Sequence, residues 1–299
     1  MKAPAFSYSR PRHLNEVLAL LTEHGDEARL LAGGQTLLAT LNMRLSEPAL
    51  LIDMQAVSEL KGLSLNGDTL RIGAMVTHTE IEISALVAHH APLLTMAAPH
   101  IAHRAIRNLG TFGGSIAYGD PAAEWPACLL ALGGVVVARS LRGERRIAVD
   151  DFFTGLYTTA LAADEIIVAC EIPAADASQK ISFSELARRH GDYAVVGLAA
   201  AAKLDDNVMS NVKLAWIGVG STPMRSLAAE QALNVQHLTI QAVSQAVDVL
   251  RSELAPIADL THSEAAKRQL AGVLLKRALL SWMSNPATPA ASFAKKETA

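Results

Sequence analysis

Residues 108–125 read NLGTFGGSIAYGDPAAEW, with glycines at Gly110, Gly113, Gly114 and Gly119, hydroxyls at Thr111 and Ser115, and no Lys or Arg. A glycine pair flanked by hydroxyls allows a tight bend whose backbone N–H groups converge, a way of holding phosphate oxygens without a cation. A second copy of the pattern lies far upstream: Leu31 to Thr36 read LAGGQT. A single Gly-Gly reads as a turn between core elements. Two on separate elements suggest a cradle for the two phosphates of one dinucleotide. Neither loop is followed by Lys-Ser or Lys-Thr, and neither fits G-x-G-x-x-G, so an ordinary P-loop or Rossmann site is disfavoured.

The patterns around these loops set the fold class. Leu14, Val17, Leu18 and Leu21 make the stripe of an amphipathic helix stopped at Gly25. Ala28 to Leu31 reads as a buried strand running into Gly33 and Gly34, with a helix over Thr36 to Leu45 and a parallel strand over Ala49 to Met54. Thr69 to Val76 alternates, with Leu70, Ile72, Ala74 and Val76 on one face. Pro126 lacks an N–H, so the helix through Ala127 to Leu132 begins just before it, with Glu124 near its N-terminus. Val135 to Ala138, Arg146 to Val149 and Glu165 to Ile172 read as strands of an antiparallel sheet, with Arg142-Gly143 as a turn. Pro173 to Ser178 is a small, polar, proline-bearing boundary. Beyond it, strands are expected over Ile181 to Ala187, Val195 to Lys203 and Val212 to Val219, then helices, one with Ala266, Leu270, Val273 and Leu274 on one face. The expected organisation is an α/β subdomain over 1–55, a larger α+β subdomain over 56–176, a C-terminal domain over 177–284 and a mobile tail over 285–299.

Bulk properties exclude several classes. A chain of 299 residues suggests two or three lobes, and a formal charge of -3 gives no footprint for nucleic acid. No apolar run approaches the ~20 residues of a membrane span, and the opening MKAPAFSYSRPR lacks a secretory apolar stretch, so a soluble, cytoplasmic protein is expected. Cys128 and Cys170 are the only thiols and read as buried hydrophobes; an iron–sulfur cluster takes about four, so this chain holds none of its own. His100 and His103 stand at helical spacing without a third metal ligand, and read as ordinary histidines.

With those residues in view, LAGGQTLL followed by Ile52 and Asp53, IRNLGTFGGSIAYGDPAAEWPACLLAL, and ELARRHGDYAVVG resemble three signatures of one family. It is the FAD-carrying medium subunit of the xanthine dehydrogenase and aerobic carbon monoxide dehydrogenase family of molybdenum hydroxylases. The likeness runs from about Phe6 to about Trp282. It implies an α+β chain: a PCMH-type FAD-binding fold of two α/β subdomains, followed by a three-stranded antiparallel sheet with helices. It also implies FAD contacts from Ala32, Gly33, Gly34, Gln35 and Thr36, and from Thr111, Phe112, Gly113, Gly114 and Ser115. Ile101 and Ile167 fall at apolar flavin contacts, Glu124 at an acidic one, and Asp192 and Tyr193 where an aromatic ring approaches the isoalloxazine. Thr36 stands where Ser is common, and Tyr118-Gly119 replaces a frequent His-Ala pair.

The implied function is electron transfer, with no catalytic side chain and no metal in this chain. Electrons would come from the [2Fe–2S] clusters of a small partner subunit, serving a large subunit with a molybdopterin-type cofactor, and leave to an external acceptor. A heterohexamer of two heterotrimers is expected by family analogy. The alternatives are a stand-alone flavin oxidase or dehydrogenase of the vanillyl-alcohol oxidase type, and a non-enzymatic nucleotide-binding module. The stretch after Pro173 is short for the cap that the first of these needs.

Overall fold

Leu14, Val17, Leu18 and Leu21 are buried along one stripe of α1 (Leu14–His24), and the chain leaves that helix at Gly25, whose φ of 49° suits glycine. The computed structural model describes residues 2–284; the expected tail from Asn285 lies outside them. α1 packs on a parallel sheet in the order β1 (Ser7–Ser9), β3 (Leu50–Asp53), β2 (Ala28–Leu31). Buried Asp53 ends β3, accepting from the Tyr8 hydroxyl and, at 2.8 Å, from the Gln55 amide. Between β2 and β3 runs α2 (Leu37–Asn42), shorter than the sequence suggests at both ends. Thr36 is its cap residue, and Arg44 turns the chain at a φ of 56°.

The second lobe is an antiparallel sheet in the order β4 (Leu63–Asn66), β5 (Thr69–Gly73), β10 (Ile166–Pro173), β6 (Val135–Ser140), β7 (Gly143–Ala148). Leu70, Ile72, Ala74 and Val76 are all buried as their alternation predicts, yet β5 stops at Gly73. The Ala74 amide instead meets the Val168 carbonyl at a bulge of β10, and the Ala74 and Val76 carbonyls are free to support the second glycine loop. The helices of this lobe are α3 (His78–Ile83), α4 (Ala85–His90), α5 (Pro92–Ala97), α6 (Arg104–Arg107), α7 (Phe112–Tyr118) and α8 (Glu124–Leu132). A small hairpin, β8 (Phe153–Gly155) and β9 (Thr158–Thr159), follows β7.

The third lobe is an antiparallel sheet of β11 (Gln179–Leu186), β12 (Val196–Asp205) and β13 (Val208–Ile217), extended by a two-residue strand, β14 (Met224–Arg225). Helices α9 (Leu227–Leu233), α10 (Ile240–Glu253) and α11 (Glu264–Ser284) complete it. α8 belongs to the second lobe by sequence but packs against β12 and β13 as well as β10. Every residue from Trp125 to Leu132 is buried, which is why this helix is apolar all round rather than striped. Its polar first residue, Glu124, therefore sits where the second and third lobes meet. Among the described residues no helix is long and apolar enough to cross a membrane.

Candidate functional site

The two glycine loops touch. Loop one is the turn between β2 and α2; loop two runs from the end of α6 into α7. A Cβ added to Gly33 would lie 2.1 Å from the carbonyl oxygen of Leu109 and 2.8 Å from Cα of Gly110, so only glycine allows the approach. A Cβ on Gly114 would lie 3.5 Å from that of Ala32. The Gln35 side-chain amide donates to the Gly33 carbonyl at 2.9 Å and fixes the first bend.

The backbone donors divide unevenly between the loops. The Phe112 and Gly113 amides donate to the Val76 and Ala74 carbonyls at 2.8 and 2.9 Å. The Gly114 amide is capped by Thr111 Oγ1 at 3.1 Å, and the Ser115 amide meets the Thr111 carbonyl. The converging amides expected in loop two are thus already engaged, because its glycines serve packing: a Cβ on Gly113 would come within 2.5 Å of that of Ala74. By contrast, the amides of Gly33, Gly34, Gln35, Thr36 and Thr111 have no acceptor among the described residues. Phe112 directs its side chain into the core, its ring centroid 5.5 Å from that of Trp125.

Loop two is held from below by His78. Its backbone amide donates to the Gly110 carbonyl at 2.9 Å, and its Nδ1 accepts from Trp125 Nε1 at 2.9 Å, leaving the ring proton on Nε2. Nε2 faces Gly110, where a Cβ would come within 2.6 Å. Burial, with Arg107 nearby, holds the imidazole down to about 4, so the ring is neutral. Nothing in the local pattern around His78 marks it.

The other predicted residues surround this junction. Ile101, in the turn after α5, and Ile167, on β10, are buried in the same apolar cluster as Phe112. Buried Arg107 donates to the Ile101 and Ala102 carbonyls at 3.0 and 3.2 Å and pairs with Glu82 at 3.0 Å, which fixes that turn. Asp192 and Tyr193 lie on the connection between β11 and β12, and Tyr193 is 72% exposed. Its phenol is shifted upward, chiefly by partial desolvation and then by the charge of Asp120. The Tyr118 and Tyr157 ring centroids are 4.9 Å apart, so Tyr157 of the β8–β9 turn, at a φ of 53°, covers the position where the family's His-Ala pair is replaced. Glu124 is pushed up to about 8, chiefly by burial and then by Glu185.

His100 and His103 do not form a metal pair: His100 Nδ1 lies 3.4 Å from Glu185, and His103 packs beside Gly191. No group of three or more potential metal-ligating side chains occurs among the described residues. Cys128 and Cys170 are both buried, and burial raises both thiols.

Residues 4–175, which contain both glycine loops, match the family model described as the FAD binding domain in molybdopterin dehydrogenase. The chain belongs to this family. Residues 181–282 match the CO dehydrogenase flavoprotein C-terminal domain. The nicotine 6-hydroxylase medium subunit of Paenarthrobacter nicotinovorans is 40% identical over 94% of this chain and 98% of its own length. Among solved structures, a carbon monoxide dehydrogenase from Hydrogenophaga pseudoflava superposes with a TM-score of 0.92 at 36% identity, covering 95% of this chain and 99% of that one. Quinoline 2-oxidoreductase from Pseudomonas putida 86 gives a TM-score of 0.89 at 36% identity, covering 94% and 98%. The chain is an FAD-dependent medium subunit of the molybdenum hydroxylase type, with an α+β FAD-binding fold.

The residues present fit the diphosphate of FAD. The unpaired amides of Gly33 to Thr36 come from one loop and that of Thr111 from the other, and the contact between Gly33 and Leu109 brings the loops together. Ser115 adds a hydroxyl with no partner among the described residues. Backbone dipoles fixed in this way favour an anion without any basic side chain.

Proposed function

We propose that this chain holds FAD across the two glycine loops, takes electrons from the [2Fe–2S] clusters of a small partner subunit and hands them to an external acceptor. Bound flavin would supply the junction between one-electron and two-electron chemistry. The observation that carries the reading is the fit of Gly33 against Leu109 O, which sets unpaired amides of both loops beside one another.

In this reading the chain's residues bind and orient, and none acts as nucleophile or general base. Gly33, Gly34, Gln35, Thr36 and Thr111 bind the diphosphate through backbone N–H groups, assisted by the Ser115 hydroxyl. Ala32, Phe112, Gly113 and Gly114 shape the bend and keep side chains out of it. Ile101 and Ile167 supply apolar surface for the ring system, and Glu124 a polar contact. Tyr193, with Asp192 beside it, stands at the exposed edge where an acceptor would arrive. The relatives named as medium subunits support an assembly with partner subunits; we take these to be a large molybdopterin subunit and a small iron–sulfur subunit, in a cytoplasmic heterohexamer of two heterotrimers by family analogy. Residues 1–176 would form the FAD-binding domain and 177–284 the C-terminal domain.

The test is anaerobic mixing of substrate with the FAD-loaded chain, alone and assembled with its two partners. The reading expects the yellow flavin absorbance to bleach only in the assembly. Bleaching of the isolated chain by a small substrate would show an enzyme with its own substrate site.

A further inference from the structure

Tyr193 owes its place to the backbone on either side of it. The residue is 72% exposed, so packing of its own ring does little to hold it. The β11–β12 connection that carries it is closed at its base, where the Val195 amide donates to the Leu186 carbonyl at 2.7 Å, and bent at its tip, where the Asp192 amide donates to the Arg189 carbonyl at 3.2 Å. Two close fits bracket Tyr193. On one side, a Cβ on Gly218, just after β13, would lie 2.8 Å from the carbonyl oxygens of Ala194 and Val195, a contact within the third lobe. On the other side, Gly191, at a φ of 83°, presses on the second lobe: a Cβ there would come within 2.8 Å of the His103 ring and 3.1 Å of the Ala102 carbonyl carbon.

The seat on the second lobe is itself strained. Ala102 has a φ of 42°, a conformation that a residue with a Cβ rarely adopts and that persists only where its surroundings impose it. Those surroundings are chiefly Arg107 of α6, whose side chain is only 9% exposed. Its Nη1 donates to the Ile101 and Ala102 carbonyls at 3.0 and 3.2 Å, with the Pro99 carbonyl at 3.4 Å, while Nε donates to Glu82 at 3.0 Å. Glu82 also pairs with Arg104 at 3.2 Å, so this carboxylate has a second cation. We propose that Arg107 is a positioning residue for the exposed edge of the site: by holding Ala102 in its strained form it fixes the surface on which Gly191 seats, and so fixes where Tyr193 stands. The seating follows from the chain alone; its effect on the flavin rests on the function proposed above.

Arg107→Lys tests the seat, because it keeps a buried cation beside Glu82 while one ammonium cannot span the carboxylate and the carbonyls that the guanidinium fork reaches together. Amide hydrogen exchange of the flavin-free, full-length chain, followed by NMR, should show the Asp192 amide exchanging about tenfold faster or more in this variant, with the amides inside β12 unchanged. Arg107→Met, which donates nothing, should exchange at least as fast; if it fails to fold, Arg107→Lys decides alone. A wild-type Asp192 rate in the folded variant, or equal acceleration throughout β12, overturns the proposal. A double-mutant cycle in the FAD-loaded chain tests the second part. The change in midpoint potential or reoxidation rate made by Tyr193→Ala should fall to about half or less in the Arg107→Lys background, since Tyr193 is already displaced there. A full effect retained in that background would show that Arg107 does not act through Tyr193. No effect of Tyr193→Ala on either quantity in the wild-type background would refute the place given to Tyr193 in the proposed function while leaving the exchange result standing.

Discussion

Gly33 and the carbonyl oxygen of Leu109 are in such close contact that one added carbon on Gly33 would sit 2.1 Å from it. Neither atom can yield, because Leu109 is followed by Gly110, whose carbonyl is held by the His78 amide. Gly33→Ala should therefore push the two loops apart, lower stability by about 1–3 kcal/mol and cut the flavin-to-protein ratio at least about tenfold. Absorbance of the purified variant measures the ratio, and an unchanged flavin content would mean that the loops need not touch.

His78 should make the protein sensitive to acid. Its imidazole is held down to about 4, below the ordinary value of 6.5, so the native state requires the neutral ring that accepts from Trp125. That contribution is present above about pH 6.5 and is lost as pH falls through about 4, a span worth up to about 3 kcal/mol. His78→Asn keeps an acceptor but cannot gain a proton. Urea unfolding at several pH values should show a shallower loss of stability for the variant across this window; an equal slope would mean that another group governs it.

Tyr193→Ala should leave the fold and the bound FAD in place, since the ring is 72% exposed and contributes little packing. It should change the flavin's midpoint potential or its rate of reoxidation by an external acceptor. Loss of the cofactor would instead make Tyr193 a structural part of the site.

Much of the fold could be read from local pattern. The run Ala28 to Leu31 forms β2 over the same residues, and Pro126 sets the start of α8 so that Glu124 is its first residue. The stripe of Leu14, Val17, Leu18 and Leu21 buries as expected, because each rule involved acts within a few residues. Contacts over long separations were not legible. A Cβ on Gly114 would meet Thr111 Oγ1 at 2.8 Å, within its own loop, and the tight approach between the two loops is made at Gly33. The engaged amides of Phe112 and Gly113 depend on β5 ending at Gly73, which its unbroken alternation through Val76 conceals. Tyr157 reaches Tyr118 from a two-residue hairpin turn, and its own sequence carries no signal of that.

The amide signals of loop one and loop two, followed by 15N–1H NMR during titration of the flavin-free chain with FAD, test the central claim most directly. The account predicts that Gly33, Gly34, Gln35, Thr36 and Thr111 shift strongly as their unpaired N–H groups meet the diphosphate, while Phe112 and Gly113, already bonded to Val76 and Ala74, move little. Large shifts confined to Phe112 and Gly113, or no shift in the Gly33 to Thr36 bend at saturating FAD, would contradict it.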